Sequence, residues 1–265
     1  MYKIIPGGRF GNNVIQLVNA IRLALQTGVN TIIHEFDFLD SDRIVLDDMK
    51  EKTVKILFRS QFKLLKDLKC HYNAYDEQLH SASYIAQKYI LPQMKYTIPE
   101  TIVENELVVH IRGGDLFNET GWVSPFYVQP PLEYYVKIFE LEKDKKISVF
   151  YEDDRNPVTD KLRVLYPDIV MKSVALEELV RIFINAEYVV SGNGTLILAI
   201  LFMNKRLKRH YTTGAGGDSG GGIPFLMDEL KGGKTILAKF PGYITTWNNS
   251  IKNRALMLTY TGTIV

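Results

Sequence analysis

Short β-branched runs that alternate with helical periodicity predict an α/β protein with parallel strands. Two such series, separated by a proline-containing stretch at 90–106, predict two Rossmann-type units. A third pattern concerns the site: turns rich in glycine or acids come after the strands, where open α/β sheets bind ligands.

In the first series Tyr2–Ile5 reads as a strand, and PGGRFGNN at 6–13 as the loop after it. Asn13–Gln26 carries apolar residues at Val14, Ile15, Leu17, Val18, Ile21, Leu23 and Leu25, a helical pattern, and Asn30–Glu35 reads as the next strand. Ile90–Glu106, with Pro92 and Pro99 and little periodicity, reads as the crossing between domains at 1–105 and 106–265.

The second series predicts strands at Leu107–Ile111, Ile147–Tyr151, Ile169–Met171 and Tyr188–Val190. Helices are expected at Pro131–Glu142, Val158–Tyr166, Leu176–Ala186 and Thr195–Met203. The glycine-dense stretch at 212–222 has no packing side chains; it reads as a disordered insertion or as a surface loop or lid.

Composition narrows the class. Apolar residues at 46% suffice for a sizeable core, and the single cysteine, Cys70, excludes an intrachain disulfide. A net charge of +2 gives no electrostatic case for nucleic acid, and the basic run from Lys205 to His210 reads as a solvated helix end. The start MYKIIPGG lacks a signal-peptide pattern, and the longest apolar run, Leu196–Phe202, is too short for a membrane span. A cytoplasmic protein is the expectation. The sequons at Asn118, Asn193 and Asn248 then read as chance matches.

Four segments carry candidate chemistry. The loop at 6–13 lets backbone N–H groups approach an anion, or forms a plain tight turn; it fits neither G-x-G-x-x-G nor the Walker pattern. VVHIRGGD at 108–115 delivers His110 and Arg112 to a strand end, where the guanidinium fork suits a diphosphate. The bland reading of Arg112 is a salt bridge to Asp115. In FYEDDR at 150–155 the acids Asp153 and Asp154 bind a metal, orient a sugar, or cap the following helix. VVSGNGT at 189–195 places Ser191, Asn193 and Thr195 at a helix start, as an anion nest or an N-cap.

Taken in order and spacing, GGRFGNN, HIRGGD, the strand ending in EDD, and EYVVSGNGT resemble the motifs of the GDP-fucose-dependent α1,2-, α1,6- and protein O-fucosyltransferases. The resemblance runs to about residue 203, and the remaining residues match nothing in that family. It implies a GT-B-like fold, two Rossmann-type domains facing a cleft, with the acceptor on the N-terminal side and the nucleotide sugar on the C-terminal side. It further implies an inverting transfer with no metal and no cofactor beyond the donor, GDP-fucose, onto a glycan or glycoprotein hydroxyl.

By the same resemblance Arg112 grips the donor phosphate and His110 touches phosphate or base. Glu178 lies near the nucleobase, and Asp154, Ser191, Asn193 and Thr195 line the donor. Gly8, Gly11 and Asn12 fall in the loop facing the transferred sugar. Asp115 and Glu119 are the candidate bases for the acceptor hydroxyl, Asp115 equally a partner that only holds Arg112. Gly113 stands where many members carry a second arginine, and YVQPPLEYY at 127–135 belongs to no signature of the family. Another donor such as UDP-xylose, or a non-catalytic sugar-nucleotide or glycan-binding module, is the competing expectation.

Overall fold

The computed structural model describes residues 2–46, 56–58, 81–98, 104–213, 230 and 232–262. The chain is α/β and divides into two compact units: Met1–Ile98 with Thr195–Lys205 and Asp228–Lys231, and the remainder.

The first unit holds a four-stranded sheet in the order β3-β2-β1-β4, from β1 (Tyr2–Ile4), β2 (Thr31–Ile33), β3 (Arg43–Val45) and β4 (Ile56–Phe58). β1 is parallel to β2 and β4, while β3 runs antiparallel along the edge of β2. Helix α1 (Phe10–Thr27) joins β1 to β2 and ends at Gly28, whose left-handed φ of 73° closes the last turn. It starts before the Asn13 that periodicity suggests, because Asn13 and Gln16 face the entering chain. Gly7 N donates to Asn13 Oδ1 and to Gln16 Oε1, both at 3.2 Å, and Gln16 Nε2 donates to Ile5 O at 2.7 Å.

After a short helix α2 (Ala82–Ile85) the chain enters the second unit. There β5 (Glu106–Ile111), β6 (Lys146–Tyr151), β7 (Val170–Ser173), β8 (Tyr188–Val190), β9 (Arg209–Thr212) and β10 (Lys234–Leu237) form one parallel sheet. Their order, β10-β9-β8-β5-β6-β7, winds outward in both directions from β5 and β8. The strand order therefore reverses between β5 and β8, the switch point at which doubly wound sheets open a crevice.

Alternation along the strands sorts the core. Leu107, Val109, Ile111, Val149 and Tyr151 meet Tyr134, Tyr135 and Ile138 of α3 (Leu132–Leu141) and Val158 and Leu162 of α4 (Pro157–Leu165). His110 and Phe150 instead make edge-to-face contacts with Phe183 of α5 (Leu176–Phe183) at 6.1 and 6.2 Å.

Three expectations change here. The division falls after Ile98 rather than at 105/106, and α6 (Thr195–Met203) clusters with the first unit, not the second. That helix, TLILAILFM, has no polar face, so it must bury all round, and it does so partly against α1. The basic run to His210 is no solvated helix end: Arg209 begins β9 and His210 is buried within the sheet. Arg209, partly exposed, pairs with buried Glu142, which also accepts from Tyr211 at 2.6 Å. Burial alone would raise the Glu142 carboxyl, but hydrogen bonds from Tyr211, Lys145 and Arg209 outweigh it and hold it below its ordinary value.

Described residues after Lys205 complete the second unit's core: β10 extends its sheet, and Tyr243, Trp247, Met257 and Tyr260 pack with α3 and α4. Met257 belongs to α7 (Ile251–Thr259). The glycine-dense stretch lies, beyond Thr213, outside the described residues.

Candidate functional site

β5 ends at Ile111, so Arg112 emerges at the carboxyl edge beside the switch point. The chain then turns through Gly113 and Gly114 into a 3-10 turn, Gly114–Phe117. Gly114 adopts φ +62°, and a Cβ on it would stand 2.7 Å from the Glu152 carboxylate. That space lets the acids after β6 approach: Asp153 accepts from Gly114 N at 3.1 Å and from Arg155 N at 3.0 Å. Asp154 pairs with Arg163. Of the two adjacent acids, Asp153 fastens the Arg112 turn and Asp154 is exposed.

The Arg112 side chain is 19% exposed, and Asp115 is its one ionic partner among the described residues, at 3.4 Å. Its guanidinium carbon stands 4.7 Å from the centre of the Tyr127 ring. On another side, a Cβ at Gly194 would lie 2.9 Å from Arg112 Nη1. The Arg112 carbonyl accepts from Asn156 Nδ2 at 2.9 Å, which ties the strand end to the start of α4. Beneath it His110 is fully enclosed; burial, and then the Arg112 charge, lower its pKa to about 3, so the ring is neutral.

The turn after β8 forms the other wall. Ser191 is buried and bonded on every side: its N–H reaches Tyr211 O at 2.9 Å, and its carbonyl accepts from Tyr134 OH at 3.0 Å. Its Oγ lies 2.8 Å from His210 Nε2 and 3.5 Å from Thr212 Oγ1. Burial lowers the His210 pKa to about 3, so the ring is neutral and shares one hydrogen bond with the Ser191 hydroxyl. Ser191 thus ties β8 to β9. Asn193 Nδ2 donates to Phe126 O at 2.9 Å, while its Oδ1 is buried without a hydrogen-bond partner among the described residues.

In the first unit Gly8 is exposed with φ 90° in the loop before α1. Gly11 and Asn12 lie inside the helix rather than in a loop. A Cβ at Gly11 would stand 2.7 Å from the Thr195 carbonyl carbon, so this glycine serves helix packing. Thr195 Oγ1 bonds Asn12 Oδ1 at 2.8 Å. Asn12 of GRFGNN and Thr195 of SGNGT are thus joined within the first unit.

Two more of the expected residues share a cavity of about 490 Å³ in the second unit. Glu119 and Asp154 line it with Asn118, Arg155, Asp160 and Arg254. Glu178 is exposed in the first turn of α5, beyond β7. Sequence reasoning missed Tyr127, Gly194 and Asn156 as neighbours of Arg112; only the unassigned YVQPP stretch drew notice to Tyr127.

No family model and no curated protein sequence matches the chain. Among solved structures it is similar to E. coli heptosyltransferase WaaC with ADP, at TM-score 0.45 and 11% identity over 90% of this chain and 94% of that one. It is also similar to POFUT1 in complex with GDP, at TM-score 0.39 and 12% identity over 80% and 97%. A putative UDP-N-acetylglucosamine 2-epimerase from Listeria monocytogenes aligns at TM-score 0.38 and 11% identity over 86% and 81%. Likeness this loose assigns neither family nor activity. Among the described residues no helix is long and apolar enough to cross a membrane.

Proposed function

We propose that the chain is an inverting, metal-independent glycosyltransferase that binds a nucleoside diphosphate sugar at the second unit's switch point. One observation supports this most. Arg112 is a mostly buried guanidinium at the carboxyl edge of β5, with a single long ion pair among the described residues to share across five N–H donors. A diphosphate supplies the paired oxygens that such a fork lacks.

In the proposed reaction an acceptor hydroxyl oxygen attacks the anomeric carbon while the bond to the diphosphate oxygen breaks. The leaving diphosphate gains negative charge, which a fixed guanidinium stabilises without having to reorganise. Asp115 pairs with Arg112, whereas Glu119 makes no ion pair among the described residues and lines the cavity, which supports Glu119 as the base for the hydroxyl proton. Asp153 and Asp154 are engaged by Gly114, Arg155 and Arg163, which favours the metal-independent reading. GDP-fucose remains the preferred donor and a glycan or glycoprotein the acceptor, on the motif resemblance alone.

Calorimetric titration of GDP and UDP into the wild type and Arg112→Ala tests the reading. Each charge-assisted hydrogen bond lost is worth about 1.5–3 kcal/mol, so the variant should bind at least ~10-fold more weakly. Its melting temperature should change little. Equal binding by both proteins, or none by the wild type, overturns it.

A further inference from the structure

The segment from Pro125 to Pro130, before α3, is fastened at several points. Pro125 O accepts from Trp247 N at 3.0 Å, Phe126 O from Asn193 Nδ2 at 2.9 Å, and Gln129 O from Tyr243 OH at 3.0 Å. Pro130 lies against Gly192, 3.1 Å from where a Cβ there would stand. This strap crosses the turn after β8 and carries one side chain to Arg112, the ring of Tyr127.

We propose that Tyr127 is a positioning residue that holds Arg112 by the face of its ring and leaves the N–H edge free for a pair of phosphate oxygens. The Asp115 contact cannot do this alone: at 3.4 Å it is long, and the carboxylate is 45% exposed. An aromatic face attracts a guanidinium without using its N–H donors, so every donor not turned to Asp115 stays available. An unstacked arginine would lose several rotamers on binding, and the strap has already removed them. Arg112 is thereby ordered before any ligand arrives.

The diphosphate part of this inference rests on the proposed function; the stacking part does not, and two readouts separate them. The first is the rate at which phenylglyoxal modifies Arg112 in the unliganded protein, followed by mass spectrometry, with exposed Arg155 as internal reference. The second is calorimetric affinity for GDP and UDP. Tyr127→Phe keeps the ring and should match the wild type within about twofold in both. Tyr127→Leu, with Tyr127→Met as the alternative should the leucine variant not fold, should raise Arg112 labelling and weaken nucleotide binding, each by about fivefold. Unchanged Arg112 labelling in the leucine or methionine variant overturns the proposal. Faster labelling in a protein that binds neither nucleotide upholds the stacking and removes the diphosphate reading.

Discussion

Gly11 of α1 stands so close to Thr195 of α6 that a Cβ on it would lie 2.7 Å from the Thr195 carbonyl carbon and 2.8 Å from the Leu196 Cα. The atoms it would meet are backbone, which cannot swing aside. Gly11→Ala must therefore separate the two helices. Alanine gains up to about 1 kcal/mol of helix propensity, but overpacking of this kind costs about 1–3 kcal/mol and wins. Urea denaturation should show a lower midpoint with an unchanged m-value. A midpoint equal to that of the wild type would mean that the helices are not in contact at this point.

Gly194 gives the opposite expectation. The atom a Cβ would meet is Arg112 Nη1, at 2.9 Å, the end of a side chain rather than backbone. Gly194→Ala should cost less than Gly11→Ala, about the 0.5–1 kcal/mol of the Tyr127 contact from which the guanidinium is displaced. The guanidinium should move instead, and losing one well-aligned charged hydrogen bond weakens anion binding by about 10- to 100-fold. Pairing a urea midpoint with a GDP titration distinguishes the two glycines. A destabilised Gly194→Ala variant with intact nucleotide affinity would reverse their assignment.

Stability should fall with acid, and the buried histidines set the window. His110 and His210 are lowered by burial to about 3, so they stay neutral in the folded chain while the unfolded chain protonates them near 6.5. Below about pH 6.5 the unfolded state binds more protons, and stability is lost progressively down to about pH 3. Each histidine contributes a slope of about 1.4 kcal/mol per pH unit in that range. Urea midpoints at successive pH values between about 7.5 and 5 measure it. His210→Gln, whose amide can still hydrogen-bond Ser191, should reduce the slope by one proton; an unchanged slope would place His210 in contact with solvent.

Much of this architecture was legible because parallel strands buried on both faces are written in Val, Ile and Leu. Tyr188–Val190 and Thr195–Met203 match the sequence reading at both ends. The sequence misled where polar letters are internal. Asn12 reads as a loop residue but lies inside α1, and Arg209 reads as a solvated helix end but pairs with a buried glutamate. The expected strand end before Arg112 agrees with β5, which ends at Ile111. Ser191 looked like a ligand residue because it ends a strand; its partner His210 comes from β9, whose charged start hid the strand. The approach of the Tyr127 ring to Arg112 obeys no periodicity, since the strap that carries it is bonded by Trp247 and Tyr243 far along the chain.

Glu178 carries the donor question. It is exposed in the first turn of α5, just past β7, on the carboxyl edge that also presents Arg112. A guanine offers a carboxylate two donors, the N1–H and the amino group, whereas uracil offers one ring N–H and no amino group. A base that covers Glu178 must replace the water it loses, and uracil replaces less of it. A buried acceptor left unsatisfied costs about 1–3 kcal/mol, or roughly 5- to 150-fold in affinity. Because Glu178 starts exposed and the bound pair stays partly solvated, the lower end of that range applies. GDP should bind about fivefold tighter than UDP and raise the melting temperature more at equal concentration. Glu178→Gln puts an amide donor beside the guanine donors, so it should weaken GDP, leave UDP nearly unchanged and narrow the gap. Arg112→Ala, which acts on the diphosphate common to both, should weaken the two nucleotides alike. Tighter binding of UDP would remove GDP-fucose as the donor, keep the glycosyltransferase reading, and make UDP-xylose the next nucleotide sugar to assay.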